Sequence, residues 1–318
     1  MIGLFRLLFG VGLDLAFGDP EPFHPVLGIG RLIGFLERLC FPKERNFKRE
    51  FLLGFVVLGV VAGGLGVGYG FLRRFLFQMS PVLFLAVEVY LIFNSLALHT
   101  LLRRGKEVEE ALEAKDLPRA RKALQHLVGR DTEHLSEWEI VRGCVESLAE
   151  NFNDAFVAPL FYTALFGALG SLVYRAVNTL DSMLGYRDFR YYFFGFASAR
   201  ADDVANFLPA RLSALFIALS ALFCGRFFKG ALACAFRDAR RHPSPNAGWP
   251  ESAMAGALGV RLGGVNYYQG KREERPFLGD PVLDLVPLRI REAREIVAVG
   301  AGIAVFCFSL VAFFFFSL

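Results

Sequence analysis

The chain has few of the residues that build disulfide-stapled or metal-clipped folds. Its five cysteines are Cys40, Cys144, Cys224, Cys234 and Cys307, and no two form a CxxC pair. Isolated buried thiols fit that spacing; a disulfide framework or cysteine metal site does not. No GxxxxGK[ST] or GxGxxG string is present, so any nucleotide site is not a standard phosphate cradle. Charge of one sign is also lacking. Lys and Arg number 35 against 31 Asp and Glu, a net +4 that is too mild and dispersed for a nucleic-acid surface. Internal repeats are missing and the β signal is weak throughout, so the sequence predicts an all-α fold.

Apolar residues are in excess. They make up 54% of the 318 residues, Phe alone contributes 35, and the mean hydropathy is +0.42. That much apolar surface does not fit one soluble core, and the expected solvent for much of the chain is lipid. Five runs reach the roughly 20 residues that cross a hydrocarbon layer. They are Phe51–Leu72, Pro81–Leu102, Ala155–Val177, Val204–Cys224 and Ile296–Ser317. A sixth, shorter helix near Ile2–Phe17 carries Arg6 and Asp14 and reads as retained, not as a cleaved signal. The expectation is a polytopic membrane protein of five to six transmembrane helices, forming a single membrane-embedded domain over residues 1–318.

Lys and Arg fix an orientation. Residues 18–50, 103–154 and 225–295 carry 27 of them, and the alternate connections carry 5. By the positive-inside rule those three loops are cytoplasmic and the C-terminus is outside. Residues 178–202 lie outside on that scheme. They would reach the other face if Ala155–Val177, with Gly167 and Gly170, or Val204–Cys224, with Pro209 and Arg211, were re-entrant.

The cytoplasmic loops read as helical. Ser136 and Glu139 form a capping box that opens a helix. On it Arg142, Glu146, Glu150 and Asp154 follow at i+4 spacing, so they share one face. Stacked carboxylates repel unless a cation compensates, which makes Glu146, Glu150 and Asp154 candidates for Mg²⁺, with Asp202 and Asp203 as second choice; a solvated helix face is the plainer alternative. Asp203, Phe207 and Arg211 form another stripe, either a structural ion pair or an anion site. Glu88, Ser95 and His99 mark a polar seam through the second span. Two loops are stiffened by Pro and loosened by Gly: Asp14–Pro25, and Arg241–Glu251 followed by Gly256–Gly264. In the second, His242, Asn246 and Glu251 sit on a restricted backbone, and the glycines permit close approach to phosphate.

Six strings carry a resemblance: DLAFGDPEPFHPVLGIGRLI, VGRDTEHL, VESLAENFNDAFVAPLFY, YRAVNTLDSMLGYR, FGFASARADDVANFLPARL and RHPSPNAGWPESAMAGALGVRLGG. In this order, over nearly the whole chain, they resemble the adenosylcobinamide-phosphate synthase family of cobalamin biosynthesis, the CbiB/CobD family. One departure is Phe152-Asn153, where a Thr or Ser is expected in the second place. The resemblance implies a multi-pass inner-membrane ligase that joins adenosylcobyric acid to aminopropanol or its O-phosphate, using ATP and Mg²⁺. Other membrane enzymes of nucleotide-loop assembly are possible partners. Against that chemistry, His242, Glu251 and Asp181 are the catalytic candidates. Arg130, Arg175, Arg200 and Arg241 are candidates for phosphate, and Asn151, Asn178 and Asn246 for substrate amides. A transporter, or a regulator similar to the β-lactamase-induction membrane protein, is the alternative. A transporter leaves the large polar loops unexplained, and such a regulator is expected to lack RHPSPNAGWPE.

Overall fold

The computed structural model describes residues 2–19, 25–42, 44–186 and 189–317. Pro20–His24 of the first quoted string, and Arg187, lie outside them. The chain is a polytopic helical membrane protein. Four helical stretches are long and apolar enough to cross a membrane, and five if one bent pair counts as a span. The residues sort into two compact units: 1–97, 158–206 and 307–318 form one, and 98–157 with 207–306 the other.

The first unit contains α1 (Ile2–Phe17), α2 (Pro25–Cys40), α3 (Phe47–Met79), α4 (Pro81–Phe93), α8 (Ala158–Leu184) and α9 (Phe196–Ala205). Asn46 caps α3 by accepting the N–H of Arg49, and Pro81 stands in the first turn of α4 after Ser80, both standard start signals. Ile29, Ile33 and Leu36 of α2 pack with Val57 and Val61 of α3 and Leu172, Ala176 and Leu180 of α8. The outward face of α3 stays apolar, with Leu52, Val60, Val67 and Phe71 exposed. That pattern requires lipid around it.

Two of the spans expected from the sequence are unbroken: Phe51–Leu72 lies within α3, and Ile296–Ser317 within α13 (Leu288–Ser317). The other three are interrupted, although Pro81–Glu113 still counts among the stretches long and apolar enough to cross. The Pro81–Leu102 run is interrupted after Phe93, and a new helix, α5 (Leu98–Glu113), starts at Leu98. The seam Glu88, Ser95 and His99 is therefore not one helix stripe. Glu88 pairs with Arg6 and accepts from Tyr69, while the Ser95 carbonyl accepts from Arg175 Nε at 2.7 Å. The Val204–Cys224 run is divided at Asn206, where α9 ends and α10 (Phe207–Phe223) begins.

The Ala155–Val177 run departs most from a straight span and takes the re-entrant alternative that Gly167 and Gly170 had left open. Gly167 interrupts α8 with φ 66° and ψ −154°, a region open essentially to glycine alone. The helix folds back there. Tyr162 and Tyr174 stack with ring centroids 5.4 Å apart, and a Cβ on Gly170 would come within 2.4 Å of the Tyr162 carbonyl oxygen. The two arms leave the turn in the same direction, so this run is a helical hairpin and not a straight crossing.

The second unit contains α5, α6 (Leu117–Gln125), α7 (Glu137–Phe152), a π-helical turn Asn153–Val157, α10, α11 (Phe228–Asp238), α12 (Gly248–Leu258) and the start of α13. The expected capping box at Ser136 and Glu139 opens α7. It also holds an antiparallel hairpin, β1 (Leu262–Tyr268) and β2 (Lys271–Leu278), where the sequence offered only helices and turns. Its two-residue loop is Gln269-Gly270, both at positive φ, as tight hairpin loops demand.

Candidate functional site

The site grows from α7. Its inner face is apolar and buried through Ile140, Cys144, Val145 and Leu148, which presses Arg142 and Glu146 against β1. Arg142 is 2% exposed. Its guanidinium donates to the Gly263 carbonyl, to the Val265 carbonyl at 2.8 Å and to Asn266 Oδ1 at 2.7 Å. Glu146 accepts the Gly263 N–H at 2.8 Å and an Arg130 Nη2 bond at 2.5 Å. Arg130 also donates to Asn266 Oδ1. Asp131 accepts from the N–H groups of Gln269 and Gly270 at 3.0 and 2.8 Å, which pins the hairpin loop.

Gly263 and Gly264 form an irregularity in the hairpin register, with φ of 83° and 94°. A side chain on Gly263 would come within 2.2 Å of the Pro276 carbonyl oxygen. These glycines, expected at a phosphate, let β1 seat against Arg142 and Glu146.

A polar cavity of about 180 Å³ lies between these elements, lined among others by Arg130, Glu146, Ser147, Glu150, Glu251, Tyr268 and Arg275. Four of the expected site residues, Arg130, Glu146, Glu150 and Glu251, are thus brought together. Tyr268 and Arg275 were missed, because both belong to the unforeseen hairpin. The legible signal was the Gln-Gly pair between an apolar strand and Lys271–Phe277. Burial raises the Tyr268 hydroxyl above its ordinary range. Burial works against the Arg275 charge, but the acidic groups around it, Glu150 and Glu273 among them, raise the guanidinium above its ordinary value. A wider cleft of about 830 Å³ is lined by Trp138, Arg142, Arg261, Tyr267, Phe277 and Leu283, among others.

Glu251 sits on α12, a helix buried on nearly every side. Burial first, then the neighbouring Glu150 and Glu146, pushes its carboxyl group well above the usual carboxylate range. His242 approaches from the preceding loop, its Nε2 3.7 Å from Glu251 Oε1. Burial and then the positive Arg275 lower the His242 ring to about 4, so it is neutral at ordinary pH.

Other expected residues lie elsewhere. Asp154 falls in the π-helical turn, accepts from Asn153 at 2.7 Å, and is not among the residues lining the cavity. Asn151 donates back to Ser147. Arg241 pairs with Asp238 at 3.1 Å and is exposed. Asn246 Oδ1 accepts from Arg211 at 3.3 Å. Arg211, read either as an ion-pair partner of Asp203 or as an anion site, donates to the Phe207 carbonyl and lies over the rings of Phe207 and Trp249. In the first unit Asp203 pairs with Arg200 at 2.9 Å. Asp202 accepts from Asn178 at 3.2 Å and Asn206 at 3.0 Å, beside Tyr174. Asp181 lies in the last turn of α8, its carbonyl accepting the Gly185 N–H. Among the described residues no three His, Cys, Asp or Glu side chains are placed to hold a metal ion together.

A family model described as CobD/CbiB protein matches residues 7–297. The chain belongs to the CobD/CbiB family. It is similar to a protein named cobalamin biosynthesis protein CobD from Geobacter metallireducens, with 45% identity over 88% of this chain and 87% of that one. A protein of the same name from Klebsiella pneumoniae is 43% identical over 93% of each chain. One named cobalamin biosynthesis protein CbiB, from Salmonella paratyphi B, is 44% identical over 86% of each. No solved structure matches the chain significantly. The His242 loop, Glu251 on α12 and the α7 cavity therefore lie in a membrane protein of a cobalamin-biosynthesis family.

Proposed function

We propose that the chain is an adenosylcobinamide-phosphate synthase. It would join the free carboxylate of adenosylcobyric acid to (R)-1-aminopropan-2-ol or its O-phosphate at the expense of ATP. The observation that carries this reading, with the family membership, is the cavity where Glu146, Glu150 and Glu251 face Arg130 and Arg275.

A carboxylate is a poor acyl donor, and phosphoryl transfer from ATP turns it into one that an amine attacks. Such a site needs cations near phosphate and donors near a developing oxyanion. Arg275 and Arg130 supply positive charge, and Tyr268 supplies an O–H donor at the cavity wall. Glu251, its carboxyl group raised by burial and by Glu150 and Glu146, faces the same space. The wider cleft beside Trp138 and Phe277 offers apolar walls for part of a bulky corrinoid.

Mg²⁺ is accommodated by one or two carboxylates completed by phosphate oxygens and water, and the donor set fits that arrangement and not a three-carboxylate cage. Glu150 is the first residue we assign to it. Glu146 is already balanced by Arg130 and Gly263, and Asp154 would need to reorient. The metal would neutralise charge on the transferring phosphate.

The same reading puts the chain in the inner membrane, with the main loops, residues 103–154 and 225–295 among them, cytoplasmic and the C-terminus outside. Cysteines at the positions of Lys115 and Lys271 should resist an impermeant reagent in intact cells. For the activity, membranes carrying the protein are given adenosylcobyric acid, aminopropanol phosphate and Mg-ATP, and a cobinamide product is sought by mass. Product formation that falls by orders of magnitude with Glu150→Gln supports the reading. Absence of product with either amine overturns it.

A further inference from the structure

His242 is fixed by its own loop. The backbone N–H of Ser244 points at Nδ1 and donates to it at 3.0 Å, so Nδ1 carries the lone pair. The Ser244 carbonyl oxygen is farther, at 3.3 Å, and a proton on Nδ1 would collide with that N–H. Ser244 Oγ in turn accepts from the N–H groups of Asn246 and Ala247, which closes the turn. The neutral ring therefore carries its proton on Nε2. That nitrogen is buried and has no hydrogen-bond partner among the described residues. The side chain is 5% exposed, and the nearest acid is Glu251, itself 3% exposed.

Their separation of 3.7 Å is beyond a normal N–H···O bond. Contacts of this kind are often long before substrate binds and shorten in the complex. Water has almost no access to the nitrogen, and an orphaned buried N–H is costly. The imidazole is also not among the residues that line the cavity, whereas Glu251 is. A ring with its lone pair spent on Ser244 and its one proton on Nε2 has no acceptor left for a substrate proton.

We propose that His242 is a positioning residue, whose Nε2–H holds the Glu251 carboxyl group toward the cavity, and that it is not the base that takes the proton from the amine. This rests on the ligase reading above. It leaves Glu251 as the group of the pair that meets substrate.

The test uses two amides that each copy one ring nitrogen. His242→Gln places an N–H donor near the Nε2 position and gives up the contact with Ser244. His242→Asn places an acceptor near Nδ1, keeps the turn and removes the donor to Glu251. Both are made in the full chain in lipid nanodiscs. The proposal expects His242→Gln to stay within about threefold of the parent in kcat and His242→Asn to fall about a hundredfold at little changed KM. Equal, severe loss in both would make His242 the base and overturn it. Retention in Asn with loss in Gln would reduce His242 to a holder of its loop and also overturn it. A readout independent of turnover separates this from failure of the ligase reading. The infrared carboxyl band of Glu251, identified as the band that Glu251→Gln removes, should shift in His242→Asn and return toward the parent in His242→Gln. A band unmoved by His242→Asn overturns the proposal even if the parent makes no product.

Discussion

Tyr162 and Tyr174 stack face to face, ring centroids 5.4 Å apart and planes 17° apart, although twelve residues separate them. Along a continuous helix that separation is about 18 Å. The stack exists because the chain reverses at Gly167. Tyr162 then donates to the Ala205 carbonyl and Tyr174 to Asn206 Oδ1, both at 3.0 Å. One broken helix is thereby held against the end of another.

Cysteines replacing Tyr162 and Tyr174 should form a disulfide under mild oxidation, read as a mobility shift on a non-reducing gel. A straight span would leave them unlinked. Gly167→Ala should cost about 1–3 kcal/mol, because alanine strains at that backbone conformation. Thermal unfolding in detergent measures it, and an unchanged midpoint would remove the reversal.

Arg142 should be worth more to the hairpin than to any external ligand. Arg142→Met takes a donor from the Gly263 and Val265 carbonyls, leaves Asn266 Oδ1 to Arg130 alone, and should destabilise by about 3 kcal/mol or more. Limited trypsin digestion should cut after Lys271 or Arg272 much faster than in the parent. An unchanged digestion rate would show that α7 does not hold β1.

Glu146 and Glu150, equivalent by spacing, should behave differently. Glu146→Gln breaks the pair with Arg130, so its main effect is a lower melting temperature. Glu150→Gln should leave the unfolding free energy within about 0.5 kcal/mol of the parent and raise the Mg²⁺ needed for half-maximal turnover. Equal Mg²⁺ titrations in the parent and Glu150→Gln would remove Glu150 from the metal site.

Acid should weaken the fold through His242. Its ring titrates near 6.5 when unfolded and about 4 when folded. The unfolded chain therefore binds the extra proton between those values, and stability falls as pH drops from 6.5 through 4. The full loss is roughly 3 kcal/mol. Glu251 acts in the opposite sense, since its raised folded value favours the native state when protonated and costs stability as pH rises through that value. Unfolding of parent and His242→Gln between pH 4 and 7 checks the sign. The parent should lose more stability on acidification, and parallel curves would contradict the buried neutral ring.

The sequence alone determined that the protein is helical and lipid-embedded, since hydropathy and the capping box at Ser136 are local properties. It also brought Arg130, Glu146, Glu150 and Glu251 forward, through the helix period and the family strings. Tertiary structure decided where the chain turns back and what balances each charge. Gly167 reads the same in a straight or a reversed helix, because the sequence records a residue's freedom and not its φ. The partners of Glu146 lie 16 and 117 residues away. Tyr268 and Arg275 entered the site only because Asp131, Arg142 and Glu146 hold a hairpin against α7. Long-range hydrogen bonds of that kind have no period in the sequence, and they set the geometry in which the site works.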